Sequence, residues 1–112
     1  MRILGFSKKW AKLKQPSFTT FRCQRRDCDW ELFEGAQIVY HPRSRNREIL
    51  GVAQIIGKES IWIDDISEIE AELDGFGSLN EMVGWLALTH GERIQNEPMN
   101  KLVLKWVTRC SS

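Results

Sequence analysis

The sequence predicts an α+β fold: a small mixed or antiparallel β-barrel with two or three short helices packed on its side. Three observations predict it. Short β-branched and aromatic segments recur along the chain, joined by turns rather than by crossover helices. Two helical patterns fall together between residues 64 and 90, just before a last strand. The length of 112 residues allows one domain, residues 1–112, with one core. A doubly wound parallel sheet needs more βαβ units than this order contains.

The elements follow in order. Residues 2–6 (Arg-Ile-Leu-Gly-Phe) read as a short strand. Ser7 is placed to cap a short helix over residues 8–14, with Trp10 and Leu13 apolar and Lys8, Lys9, Lys12 and Lys14 on the polar side. Pro16 ends that segment, since the residue before a proline avoids helical geometry. Residues 17–22 form a strand whose alternation puts Thr20 and Arg22 on one face and Thr19 and Phe21 on the other. Residues 23–34 are irregular, anchored by Trp30, Leu32 and Phe33, and Gly35 reads as a turn.

A hairpin follows, with strands over 36–40 and 48–56 and a polar tip carrying Arg43, Arg45 and Arg47. Gly57-Lys58-Glu59 reads as a turn before a strand at 60–63. A helix is expected from Asp64/Asp65 to about Leu73, acidic at its start where the helix end is positive. Asp74-Gly75-Phe76-Gly77 breaks it. Ser78 with Glu81 three residues on is a capping-box signature for a helix to His90, which Gly91 ends. Residues 92–98 read as a loop, and 101–107 as a closing strand with Leu102, Leu104 and Trp106 on one side.

Composition excludes several classes. No apolar run approaches the ~20 residues of a membrane span, so no membrane partner is expected. Residues 1–6 are too short an apolar stretch for a secretory signal, and Lys8-Lys9 interrupts it. Three cysteines, Cys23, Cys28 and Cys110, do not describe a disulfide framework. Reduced cysteines and a cytoplasmic location are the expectation. Cys23, Cys28 and His41 lack the second ligand pair of a structural zinc site. No metal and no cofactor are expected.

The net charge of +1 hides a division. Residues 1–50 carry 11 basic and 5 acidic residues, a net +6, while residues 51–112 carry 5 and 10, a net −5. Such an asymmetry polarises the surface potential. In the basic half, Lys8, Lys9, Lys12, Lys14, Arg22, Arg25, Arg26, Arg43, Arg45 and Arg47 alternate with Trp10, Phe18, Trp30, Tyr40 and His41. Nucleic acid needs both parts, cations for phosphate and rings for bases. The competing reading is a solvated helix face and a solubilising hairpin tip. Thr20 with Arg22 suits a phosphate, a carboxylate or a base carbonyl. Asp74 is either a carboxylate at a pocket mouth or an ordinary Asp-Gly turn residue. No phosphate loop, metalloprotease helix or nucleophile elbow is present.

These residues resemble the ASCH domain family of the PUA-like superfamily. The resemblance rests on Phe6-Ser7-Lys8-Lys9-Trp10 with Leu13, on Phe18-Thr19-Thr20-Phe21-Arg22, and on Gly35 before a hydrophobic strand. It continues through Asp65-Ile66 and Asp74-Gly75-Phe76 before Ser78-Leu79-Asn80-Glu81-Met82, and it closes on Lys101-Leu102-Val103-Leu104-Lys105-Trp106. It implies a small PUA-like barrel with a ligand cleft between barrel and helices. The family's Gly-x-Lys-x-x-Thr-x-Arg type motif falls with its Thr at Thr20 and its Arg at Arg22. Its acidic position falls at or next to Asp74.

The leading expectation is an RNA- or nucleotide-binding module. Thr20, Arg22 and Asp74 would hold the ligand, and Lys8, Lys9, Trp10, Lys12, Arg43, Arg45 and Arg47 would engage the rest. One branch of the family comprises amidohydrolases acting on N4-acetylated cytidine through a Lys, a Thr and a Glu. Here the Lys position is Ser17, Gln15-Pro16 precedes it in place of the glycine, and Asp74 is shorter than Glu. Thr20, Asp74 and Lys14 are the catalytic candidates for that alternative, with Lys12 as a second amine able to reach the cleft. A third expectation is a protein-interaction module using the acidic 64–74 segment through Glu68, Glu70 and Glu72.

Overall fold

A computed structural model describes residues 2–6, 10–24 and 29–109. Five strands, β1 (Arg2–Phe6), β2 (Ser17–Cys23), β3 (Gly35–Tyr40), β4 (Glu48–Ile61) and β5 (Met99–Arg109), form one sheet. The sheet is curled into a half-barrel, in the order β1-β3-β4-β5-β2. β1 runs parallel to β3, and the other neighbours are antiparallel, so the sheet is mixed. Helices α1 (Glu68–Asp74), α2 (Leu79–His90) and α3 (Arg93–Asn96) complete an α+β fold. Among the described residues no helix is long and apolar enough to cross a membrane.

Strand alternation divides the apolar residues between two clusters. Leu4, Phe18, Ile38, Ile55, Leu102 and Leu104 fill the inside of the curl. Phe21, Ile61 and Met99, on the other face, pack against Ala71 of α1, Met82 and Leu86 of α2 and Ile94 of α3. Full burial of each large aliphatic chain contributes roughly 1.5–3 kcal/mol. Phe18 and Trp30 therefore belong to the core and offer no ring for stacking. The Arg2 guanidinium lies 3.9 Å over the Trp30 ring.

Several elements differ from the expectation. Ser7–Lys9 lie outside the described residues, and the expected helix over 8–14 is a single 3-10 turn at Ala11–Lys14. Gly35 opens β3 instead of turning. Gly57-Lys58-Glu59 does not turn either: β4 runs unbroken through it, because a register shift between Ile55 and Gly57 bends the strand without ending its pairing to β5. The expected helix from Asp64 is a 3-10 turn at Ile63–Asp65 followed by α1. Ser67 is the true cap. Its Oγ accepts from Glu70 N–H, and the Glu70 carboxylate accepts from Ser67 N–H, both at 3.1 Å.

The other helix boundaries match. Ser78 Oγ accepts from Glu81 N–H at 3.1 Å, which is half of the expected capping box, the return bond to the Glu81 carboxylate being absent among the described residues. Gly91 closes α2 on the Ala87 carbonyl. The loop at 92–98 contains the short α3.

Candidate functional site

The two outer strands, β1 and β2, face each other across the opening of the half-barrel. Among the described residues no backbone ladder joins them. Side chains close this seam instead. Arg22 Nη2 of β2 donates to the Gly5 carbonyl of β1 at 2.8 Å, and the Phe6 and Phe18 rings meet edge-on at 6.1 Å. A cleft of about 480 Å³ lies along the seam. Phe6, Thr20 and Arg22 line it from the strands, Asp74 and Phe76 from the end of α1, and Trp85 and His90 from α2.

Lys12 and Asp74 pair within the cleft. Lys12 Nζ lies 2.8 Å from Asp74 Oδ1 and donates to the Thr19 carbonyl at 2.7 Å. Thr19 Oγ1 adds a longer contact to the same Oδ1 at 3.4 Å. The two side chains are only 6% and 8% exposed. Burial lowers the Lys12 pKa, with Arg22 acting the same way and Asp74 against. Burial also raises the Asp74 pKa, against the pull of Lys12 and Arg22. Desolvation thus outweighs mutual attraction for both ions. Both side-chain contacts fall on Oδ1, and Oδ2 of Asp74 has no donor among the described residues.

Arg22 is a second, half-buried cation. Besides Gly5, it reaches the Thr20 hydroxyl, which accepts from Nε at 3.1 Å. Thr20 keeps its own proton to donate. Nη1 of Arg22 has no acceptor among the described residues. Burial lowers the guanidinium pKa to about 10, opposed by Asp74. The Phe6 ring lies beside both cations, 4.7 Å from the Arg22 guanidinium and 5.5 Å from Lys12 Nζ.

Aromatic rings form one wall. Trp10 lies 5.0 Å from Phe76 and 5.8 Å from Trp85, the latter edge-on. Gly75 makes the first contact possible: its φ is +110°, and a Cβ there would stand 2.9 Å from Trp10 Cε3. Trp85 is 40% exposed, a large ring left facing solvent at the cleft.

The structure brings Trp10, Lys12, Thr20, Arg22, Arg43 and Asp74 to this one cleft. Arg45 and Arg47 lie in the exposed hairpin tip and do not line it. Lys8 and Lys9 lie outside the described residues. Lys14 is exposed and does not line the cleft. Its carbonyl accepts from Arg109 at 3.1 Å. The amine in the cleft is Lys12, which turns inward onto Asp74 and the Thr19 carbonyl instead of lying on the expected polar side. Ser17 is exposed at the start of β2, outside the cleft. Sequence reading did not single out Phe76, Trp85 or His90 for the site. Phe76, in the turn after α1, and Trp85, beside the apolar stripe of α2, read as core, and His90 reads as the basic end of α2.

Cys28 lies outside the described residues, while Cys23 sits beside Arg93 and Glu97, and His41 is at the cleft. Among the described residues no three metal-ligating side chains converge. Of the acidic segment, Glu70 is bound to Lys101 at 2.6 Å and Glu68 accepts from Leu79 N–H, so two of its three Glu residues already serve the fold. Comparison with protein-family models, with curated proteins and with solved structures found no match.

Proposed function

We propose that the chain is an ASCH-like module of the PUA-like superfamily whose cleft binds a nucleotide, free or within single-stranded RNA. One observation carries this reading. A buried cation, Lys12, a half-buried one, Arg22, and one carboxylate, Asp74, line the same cleft as the Trp10 and Trp85 rings, which the buried Phe76 backs. Rings stack on any base, a carboxylate accepts from base amino or ribose hydroxyl groups, and a guanidinium donates to phosphate or a base carbonyl. Titration of short single-stranded RNA and of mononucleotides, followed by tryptophan fluorescence, tests it. Binding should weaken steeply with salt. Removing the Trp85 ring should cost roughly 1–3 kcal/mol of binding. Negligible binding at both low and high salt overturns the reading.

One arrangement favours a second reading, an amidohydrolase acting on N4-acylated cytidine. The amine beside Asp74 is supplied by Lys12, with Thr20 in the same cleft. A buried amine with a lowered pKa suits proton transfer. Water would add to the acyl carbon, the C–N bond would break, and the exocyclic nitrogen would leave as the cytidine amine. Equal amounts of cytidine and acetate from N4-acetylcytidine, lost in Thr20→Ala, support this. No release above the Thr20→Ala background rejects it.

A further inference from the structure

The cleft has two chemically different ends. One holds the Trp10, Phe76 and Trp85 rings beside the Lys12–Asp74 pair. The other gathers around Arg22. The corner after β3 packs there: His41 N–H donates to the Phe6 carbonyl at 2.9 Å, and Pro42 stands so close to Gly5 that a Cβ would meet its Cγ at 2.5 Å. Gly5 is also the residue whose carbonyl Arg22 holds. His41, Arg43 and Arg22 thus share the β1 side of the cleft, and His90 of α2 faces them, close enough to feel the Arg22 charge.

Charge balance separates the ends further. Asp74 is the single carboxylate among the described residues lining the cleft, and it is already matched by Lys12. Arg22 feels the Asp74 charge but is bonded to no carboxylate, Arg43 has none bonded to it among the described residues, and Arg22 Nη1 has no acceptor there. The Arg45 and Arg47 side chains do not continue the cationic surface along the cleft, as a track for successive phosphodiesters would require. A volume of about 480 Å³ falls within the usual ~300–1,000 Å³ range of small-molecule sites. A phosphate monoester carries about −1.5 to −2 charges on one group, which suits the two guanidiniums of Arg22 and Arg43 with imidazole hydrogen bonds beside them better than one diester does.

We infer that the Arg22–His41–Arg43–His90 end is a subsite for a terminal phosphate monoester, so that the ligand is a nucleoside monophosphate or the phosphorylated end of a strand. The inference rests on the nucleotide-binding reading above and specifies which nucleotide chemistry it takes. The base occupies the aromatic end, where Asp74 Oδ2 meets its donors. The phosphate occupies the Arg22 end.

Calorimetric titration of the intact chain tests this with two sets of probes. The first set is the four ribonucleosides and their 5′-monophosphates. The second is a tetranucleotide RNA with and without a 5′-phosphate. The phosphate should tighten binding by about tenfold or more in at least one matched pair, and the pair shows whether the source is a free nucleotide or a strand end. Arg43→Ala, exposed and away from the Gly5 bridge, should erase most of that advantage, and His90→Gln, where burial and Arg22 disfavour the charged imidazole, should erase less of it; each should weaken the phosphorylated partner more than the unphosphorylated one. Equal affinity within every matched pair overturns the phosphate subsite and leaves the cleft as a base or nucleoside site. Failure of every probe to bind overturns both readings.

Discussion

Lys12 Nζ and Asp74 Oδ1 are 2.8 Å apart, joining a one-turn 3-10 segment to the last residue of α1 across 62 positions of sequence. This pair fixes α1 against β2, because Lys12 also holds the Thr19 carbonyl. Its two ions are nearly dry, so its value depends on both being present.

Lys12→Met should therefore destabilise the fold by about 3–5 kcal/mol, since it strands a buried carboxylate. Adding Asp74→Asn should restore a large part of the loss. Urea unfolding of the two single variants and the double variant checks this. A double variant no more stable than Lys12→Met would show that the pairing is not the cause.

His90 is predicted to give the fold an acid sensitivity. Burial, then Arg22 and Arg93, hold its imidazole pKa below 6.5. The unfolded chain takes up this proton first, so the stability linked to His90 is present above 6.5 and is lost as pH falls through the folded value. His90→Gln should flatten the drop in unfolding midpoint between about pH 7.5 and pH 5.5. An unchanged difference between the two pH values would remove His90 as its source.

Ser67→Ala should cost about 1 kcal/mol by opening the capping box with Glu70. Glu70 also binds Lys101, so Glu70→Gln should cost about 1 kcal/mol for that largely buried ion pair plus the weakened cap. Thermal melts rank the two variants. Identical melting points to the parent for both would deny α1 its part in anchoring the site.

Gly75→Ala should be worse than an ordinary loop substitution. The position needs a left-handed backbone, and the new Cβ would press on Trp10. A loss of more than about 1 kcal/mol is expected, together with a change in tryptophan emission as Trp10 shifts from Phe76 and Trp85. An unaltered emission spectrum with lost stability would separate the backbone effect from the ring contact.

The strands were legible where alternation was clean. Leu102 and Leu104 alternate with half-exposed neighbours and are fully buried, as their spacing implied. Ser78 announced α2 by the same local logic. Reading failed where distant pairing overrode local chemistry. Gly57 looks like a turn, but β5 holds it in a bent strand. Ser67 caps α1 in place of the more conspicuous Asp64/Asp65. Thr20, Arg22 and Asp74 could be gathered as candidates, yet nothing local distinguishes Lys12 from Lys14. Which lysine turns inward is decided by Asp74, far along the chain.

Arg22 holds β1 to β2 through the Gly5 carbonyl and also presents its remaining N–H groups to the cleft. On the nucleotide-binding reading proposed above, the same side chain would be both the bolt of the seam and a ligand contact, so a substitution there would loosen the sheet together with recognition. Among the described residues the Arg43, His90 and Trp85 side chains line the cleft without bridging β1 to β2, so the rim can be altered without opening the sheet.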